Sequence, residues 1–268
     1  MSTDNPIGIF DSGVGGLSVL REIRRELPTE DLFYVADSAY APYEDKSDKA
    51  IRKRAIAIAQ FLVNESAKAI VVACNTATGI AIEALRSQLS VPVVAMEPAV
   101  KPAVLSTRSA VVGVLATRQT LSGSRFSRLC AAYGADVQIV LQPCPGLVEQ
   151  VEKGDLSSQA TRSLVEQYVL PLLTKGADTL VLGCTHYPFL IPVIRDIAGP
   201  SVTIIDPSEA VAREVRRRLQ ASELLSRCVP PGTERFWTSG SPAQVQSVVA
   251  QLWTNTVDVQ SMPSAFLP

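Results

Sequence analysis

Two stretches, Ala69-Ile-Val-Val-Ala-Cys74-Asn75-Thr76 and Thr179-Leu-Val-Leu-Gly-Cys184-Thr185-His186, decide the fold. Each is a short apolar run that ends in Cys, a small polar residue and a position suited to open a helix. They belong to a longer echo. Gly8-Ile-Phe-Asp11-Ser12 corresponds to Gly113-Val-Leu-Ala116-Thr117, and Val93-Val-Ala-Met-Glu97-Pro98 to Val202-Thr-Ile-Ile-Asp206-Pro207. The offsets are 110 residues between the cysteines, 105 between the glycines and 109 between Glu97 and Asp206. Three anchors at nearly one offset predict a duplicated domain, each copy carrying one Cys at the mouth of a strand.

Outward from these anchors, short apolar runs alternate with longer amphipathic stretches, the pattern of βα units around a parallel sheet. Strands are expected at Ile7–Phe10, Leu32–Ala36, Ala69–Ala73, Val91–Ala95, Ala110–Leu115, Val137–Leu141, Thr179–Leu182 and Val202–Ile205. Ser47 to Ala67 reads as a helix, with Ile51, Ala55, Ile58 and Leu62 at helical spacing and Ser47 as its N-cap. Ser157 to Lys175 and Ser208 to Leu225 read the same way, and the tail adds a strand at Arg235–Thr238 and a helix at Gln244–Trp253. The expected architecture is α/β, with two pseudo-symmetric domains, each a parallel sheet flanked by helices. The first comprises residues 1–98 with the returning tail 207–268, and the second residues 99–206. In open parallel sheets ligands sit beyond the carboxyl ends of the strands. That rule places Asp11, Cys74, Thr117 and Cys184 around a crevice between the two copies.

Bulk properties narrow the function. Of 268 residues, 47% are apolar and 19% charged, enough to bury a real core, and the net charge of -1 gives no pull toward nucleic acid or an anionic membrane. The basic clusters Arg52-Lys-Arg54 and Arg216-Arg-Arg218 read as solvated helix faces. Five cysteines, an odd number, argue for a reducing compartment rather than a disulfide framework. The start lacks a signal-peptide pattern and no apolar run reaches membrane-spanning length, so a cytoplasmic protein is expected.

Asp11-Ser12-Gly13-Val14-Gly15-Gly16 is a glycine-rich turn of the kind that presents N–H groups to an anion. It is not a dinucleotide motif, because Ser18 stands where a third Gly belongs, and it also reads as a plain tight turn. Cys130, Cys144 and Cys228 read as small buried hydrophobes, whereas Cys74 and Cys184 both end strands, where a helix N-terminus or an imidazolium activates a thiol. His186, the one histidine, stands two residues from Cys184. Metal binding by Cys74, Cys184, His186 and Asp11 is a rival reading, but the close Cys pairs of structural zinc sites are missing. The economical chemistry for two matched thiols is proton transfer at one carbon from opposite faces. It needs neither metal nor pyridoxal phosphate, and no Lys stands at an obvious strand end for a Schiff base.

Asp11-Ser12-Gly-Val-Gly-Gly16, Pro42-Tyr43, Ala73-Cys74-Asn75-Thr76-Ala77-Thr78 and Gly183-Cys184-Thr185-His186-Tyr187-Pro188 closely resemble the cofactor-independent glutamate racemases, along essentially the whole chain. The resemblance implies a two-domain racemase that interconverts L- and D-glutamate and supplies D-glutamate for peptidoglycan. By it, Cys74 acts on D-glutamate with help from Asp11, and Cys184 acts on L-glutamate with help from His186. Glu152 corresponds to a carboxylate that tunes the second thiol, with Glu149 close by in sequence. Ser12, Tyr43, Asn75, Thr76 and Thr185 would hold substrate, with Thr117 and Thr120 contributing from the second copy, and a homodimer is expected. One residue departs from the pattern: Glu44 stands where the family has Gly after Pro-Tyr. Its side chain is expected to turn to solvent or to Lys46 while its N–H keeps a carboxylate-binding role. Another acidic substrate such as aspartate, or a metal-binding descendant without activity, remains an alternative.

Overall fold

The computed structural model describes residues 2–134, 136–227, 231–253 and 257–267. The chain divides into two compact units, Met1–Met96 with Ser208–Pro268, and Glu97–Pro207.

In the first unit, β1 (Ile7–Asp11), β2 (Leu32–Ala36), β3 (Ala69–Val72) and β4 (Val93–Ala95) are joined by α1 (Leu17–Glu26), α2 (Asp48–Asn64) and α3 (Asn75–Gln88). The four strands pair in parallel in the order β2-β1-β3-β4. The second unit holds α4 (Val100–Ser106), β5 (Val111–Ala116), α5 (Arg118–Ser122), α6 (Ser124–Tyr133), β6 (Gln138–Pro143) and α7 (Leu147–Glu152). Then come α8 (Gln159–Thr174), β7 (Thr179–Leu182), α9 (Ile191–Ala198) and β8 (Thr203–Ile205). Its strand order is β6-β5-β7-β8, again all parallel, so the sequence echo is an echo of topology.

The first sheet is then extended from the tail. After α10 (Ser208–Ala221), β9 (Glu234–Thr238) pairs with the free side of β2, and β10 (Val259–Ser261) with β9; α11 (Pro242–Trp253) lies between them in the chain. Phe236 and Trp237 on β9 are buried, the latter edge-on to Phe33 and Phe61.

The matched glycines show why the two halves keep the same pattern. A Cβ on Gly8 of β1 would sit 3.0 Å from Ile70 of β3 and 3.0 Å from Leu62 of α2. A Cβ on Gly113 of β5 would sit 2.9 Å from Leu180 of β7 and 2.8 Å from Leu172 of α8. Ile70 and Leu180, like Leu62 and Leu172, are again 110 residues apart. In each unit a helix presses on the central strand at a spot where only hydrogen fits.

Helix boundaries follow local chemistry. Ser47 caps α2 by accepting the Ala50 N–H at 3.3 Å, in the role its sequence predicts. Ser158 caps α8 through Thr161 N. Expected and observed ends differ by a few residues, and α10 stops at Ala221, short of Leu225.

Candidate active site

Each unit brings its predicted residues to the carboxyl ends of its own strands. In the first unit Asp11 ends β1 and is fully buried. Its Oδ2 accepts the Gly16 N–H at 2.6 Å, and its Oδ1 accepts the Ser12 hydroxyl at 3.3 Å. Ser12 Oγ in turn accepts from the Cys74 thiol at 3.8 Å, so a short proton-linked chain runs Cys74–Ser12–Asp11. The glycine at 16 is a matter of space: a Cβ there would lie 2.7 Å from the Asp11 Cβ and 2.8 Å from Tyr34 Oη, which donates to Gly13 O at 2.6 Å. The turn Ser12–Gly16 is therefore wound around the Asp11 carboxylate before it feeds α1.

Cys74 is the N-cap of α3, and its Sγ accepts the Ala77 N–H at 3.4 Å. A helix N-terminus favours negative charge at that atom. Asn75 and Thr76 follow in the first turn, both buried. Among the described residues neither atom of the Asn75 amide has a hydrogen-bond partner, and the Thr78 hydroxyl is likewise unmatched. Burying an amide without partners costs roughly 1–3 kcal/mol. Tyr43 opens a 3-10 turn over Tyr43–Asp45, with Glu44, half-buried, at its middle. Its hydroxyl donates to Asp37 Oδ2 at 2.6 Å. Burial first, and then the Asp37 carboxylate and the nearby Cys74, push the Tyr43 hydroxyl well above the ordinary tyrosine range.

In the second unit Thr117 directly follows β5 and caps α5, accepting the Thr120 N–H at 3.2 Å while donating to the Thr120 hydroxyl at 3.0 Å. Cys184 follows β7. Its Sγ lies 3.6 Å from His186 Nδ1, and Thr185 Oγ1 lies 3.4 Å from the same nitrogen. On the far side of the ring, His186 Nε2 lies 2.6 Å from Glu152 Oε1 at the end of α7. Of the two candidate carboxylates it is thus Glu152, and not Glu149, that reaches the imidazole. Burial alone would lower the His186 pKa. The hydrogen bonds to Cys184 and Glu152 outweigh it and hold the imidazolium well above its usual range.

The two halves differ where the sequence suggests likeness. Cys74 leads directly into α3, but after Cys184 the chain makes a 3-10 turn over Tyr187–Leu190 before α9 begins. Pro188 and Pro192 each lack an N–H and are accommodated in first turns, so a continuous helix from Thr185 is not formed. Where β1 ends in Asp11, β5 ends in Ala116, and the second unit draws its charged partners from His186 and Glu152 instead.

The other described cysteines sort two ways. Cys144 is buried, as expected, just after β6, its thiol donating to Gln142 O at 3.2 Å. Cys130, expected to be buried, is only half-buried, packed at the margin of the apolar cluster around Phe126; the burial it has raises its thiol pKa. Cys228 lies outside the described residues. Among the described residues no group of three or more His, Cys, Asp or Glu side chains is placed to hold a metal ion. Sequence reading passed over Asp37 and took Arg54 for part of a solvated helix face; Arg54 is instead buried at 5% exposure and pairs with Asp37 at 2.8 Å, while its neighbours Arg52 and Lys53 are exposed. Asp37 directly follows β2, and a carboxylate ending an apolar strand is the signal that also singles out Asp11.

With this geometry established, the likeness to known proteins is specific. The Asp/Glu/Hydantoin racemase family profile matches residues 7–215. A glutamate racemase of Methylococcus capsulatus is 54% identical over 98% of this chain and 97% of its own length. The crystal structure of a glutamate racemase isoform from Bacillus anthracis superposes with a TM-score of 0.89 at 32% identity, covering 97% of this chain and 98% of that one. That of the Francisella tularensis glutamate racemase in complex with D-glutamate gives 0.84 at 30%, covering 97% and 98%. The chain belongs to the Asp/Glu racemase family.

Proposed function

We propose that this protein is a glutamate racemase, interconverting L- and D-glutamate at Cα without a cofactor and supplying D-glutamate for peptidoglycan. The observation that carries the reading is the matched pair of strand-end thiols, each with its own polar partner: Cys74 with Ser12 and Asp11, Cys184 with His186 and Glu152. The 54% identity to a glutamate racemase over nearly full length supports the choice of substrate.

In the direction from D-glutamate, the Cys74 thiolate takes the α-proton and the Cys184 thiol gives one to the opposite face of the flattened carbanion. The products are L-glutamate, a Cys74 thiol and a Cys184 thiolate. The reverse reaction exchanges the roles. Asp11 assists the first thiol through Ser12. His186, kept protonated by its bonds to Cys184 and Glu152, donates toward the Cys184 sulfur and stabilises its thiolate. Asn75, with an amide open on both sides, binds a substrate carboxylate or ammonium; Ser12, Thr76, Thr117, Thr120 and Thr185 complete the polar surround. The Tyr43–Asp45 turn supplies backbone N–H groups, including that of Glu44, to the side-chain carboxylate.

No helix among the described residues is long and apolar enough to cross a membrane. The free thiols fit a cytoplasmic protein. The working form is a homodimer, which light scattering during size-exclusion chromatography will test. Incubation of each enantiomer of glutamate in heavy water, followed by NMR, should show loss of the α-proton signal and appearance of the other enantiomer. Retention of the α-proton by both would overturn the assignment, and faster turnover of aspartate would change the substrate.

A further inference from the structure

A buried polar chain runs from the C-terminal segment to the Cys74 half-site, and the proton transfer described above leaves it unexplained. Phe266, in a 3-10 turn over Ser264–Phe266, gives its carbonyl to Arg54 Nη1 at 2.7 Å. Arg54 then forks onto Asp37, Nε to Oδ2 at 3.0 Å and Nη2 to Oδ1 at 2.8 Å. The same Oδ2 accepts the Tyr43 hydroxyl. Tyr43 and Cys74 are members of one apolar cluster, against which Phe266 and Leu267 also pack. The guanidinium lies 4.5 Å over the Tyr40 ring, and the Phe266 ring is 5.5 Å from that of Phe61.

Asp37 is 0% and Arg54 5% exposed. A buried ion pair adds little stability compared with apolar residues of the same volume, but breaking it by removing one partner is strongly unfavourable. What the pair supplies is direction. A guanidinium fork meeting both carboxylate oxygens fixes the plane of Asp37, and that plane aims Oδ2 at the Tyr43 hydroxyl. The third donor group of Arg54 is met by a backbone carbonyl 212 residues away. Without it, Arg54 would carry an unmatched donor and be held by the Asp37 fork alone.

We propose that Arg54 is a positioning residue for the Cys74 half-site, acting through Asp37 and Tyr43, and that the C-terminal segment locks it through the Phe266 carbonyl. The proposal rests on the reading that Cys74 moves the α-proton. The segment around Phe266 thereby becomes part of what keeps the wall beside Cys74 closed.

The test compares wild type, Arg54→Lys and a chain ended after Met262. Lysine keeps the charge and loses the fork; the shortened chain keeps Arg54 and loses its carbonyl partner. Racemisation of glutamate is measured with kcat and KM separated. Alkylation of Cys74 and Cys184 by iodoacetamide is followed peptide by peptide on the native proteins, and circular dichroism reports folding. Both variants should lose about tenfold or more in kcat/KM. Cys74 should become about fivefold or more reactive as its wall opens locally, while Cys184 keeps its wild-type rate. Phe266→Ala, which retains the carbonyl, should fall between wild type and the shortened chain. Equal acceleration at both thiols, or variants within about twofold of wild type in kcat/KM, would overturn the proposal. If the shortened chain does not fold, Arg54→Lys decides by the same criteria. A wild-type protein that does not racemise glutamate would refute the function, while the contrast between the thiols would still decide whether Arg54 and the tail hold Cys74.

Discussion

Replacing Glu152 with Gln removes one charge from beside a buried histidine while leaving a side chain of nearly the same shape. His186 Nε2 lies 2.6 Å from Glu152 Oε1, and the ring is 1% exposed, so water cannot take over the carboxylate's part. A hydrogen bond to a charged group contributes about 1.5–3 kcal/mol. The Glu152 side chain is 19% exposed, which places the loss toward the lower half of that range, about 1.5–2 kcal/mol. At 1.36 kcal/mol per factor of ten, kcat/KM should fall roughly 10- to 30-fold. Because the equilibrium between enantiomers is fixed by symmetry, the loss must be equal in both directions. The pH profile carries the diagnostic. In the native protein the bonds to Cys184 and Glu152 overcome burial and keep His186 protonated beyond its usual range. With Gln at 152 the imidazolium is lost at lower pH, so the alkaline limb of kcat/KM moves toward neutrality. The assay is circular dichroism of each enantiomer's conversion from pH 6 to 10. A variant within about twofold of wild type, with its alkaline limb unmoved, would refute the role given to the pair.

Cys74→Ala and Cys184→Ala should each abolish racemisation, since a positioned acid–base group is worth about 10²–10⁴-fold and each direction needs both; substantial turnover in either, read by polarimetry, would end the two-thiol account. Gly16→Ala should cost activity as well as stability, because its Cβ would press within 2.7 Å of Asp11 Cβ, and an unchanged kcat/KM would show that the turn yields without disturbing the carboxylate. Asp178 accepts from Thr107 Oγ1, Arg108 N, Ser109 N and Thr179 Oγ1, and these bonds outweigh burial to hold its pKa well below the usual carboxylate range. Its stabilisation is therefore full above the unfolded value of about 4 and is lost as pH falls through the lower folded value. Asp178→Asn should lower Tm near neutrality by an amount that shrinks on acidification, with a pH-independent difference counting against it. Glu44→Gly should change KM for glutamate only a few-fold, as the backbone N–H survives; about a hundredfold gain in kcat/KM would show a carboxylate facing the substrate, where repulsion at 4 Å is worth about 1–4 kcal/mol.

Much of this was legible because strand ends are written in one dimension. An apolar run followed by Asp, Thr or Cys marks both a fold position and a chemical one, so Asp11, Thr117, Cys74 and Cys184 could be placed before any coordinates. Ser47 was legible as a cap for the same local reason. What escaped was set by distance along the chain. Asp37 has its meaning through Arg54 and Tyr43, 17 and 6 residues away, and Arg54 through Phe266, 212 residues away. Read in sequence, Arg54 was only one member of a basic cluster on a helix face. β10 is three residues long and carries no alternation to detect. The turn after Cys184 was hidden by the likeness to Cys74, although Pro188 and Pro192 held the signal.

The late arrival of β9 has a consequence for how the chain is made. About 200 residues separate β2 from the strand that covers its outer side, and translation at roughly 5–20 residues per second puts some 10–40 seconds between them. During that interval Leu32–Ala36 stands as an uncapped border, with backbone donors and acceptors open to any neighbouring strand. The stretch Glu97–Pro207 is continuous and can finish on the ribosome, whereas the part holding Cys74 must wait for the tail. A nascent chain stalled before Glu234 would therefore present a finished half beside a half with an adhesive rim, and chaperone capture or aggregation should concentrate on that rim.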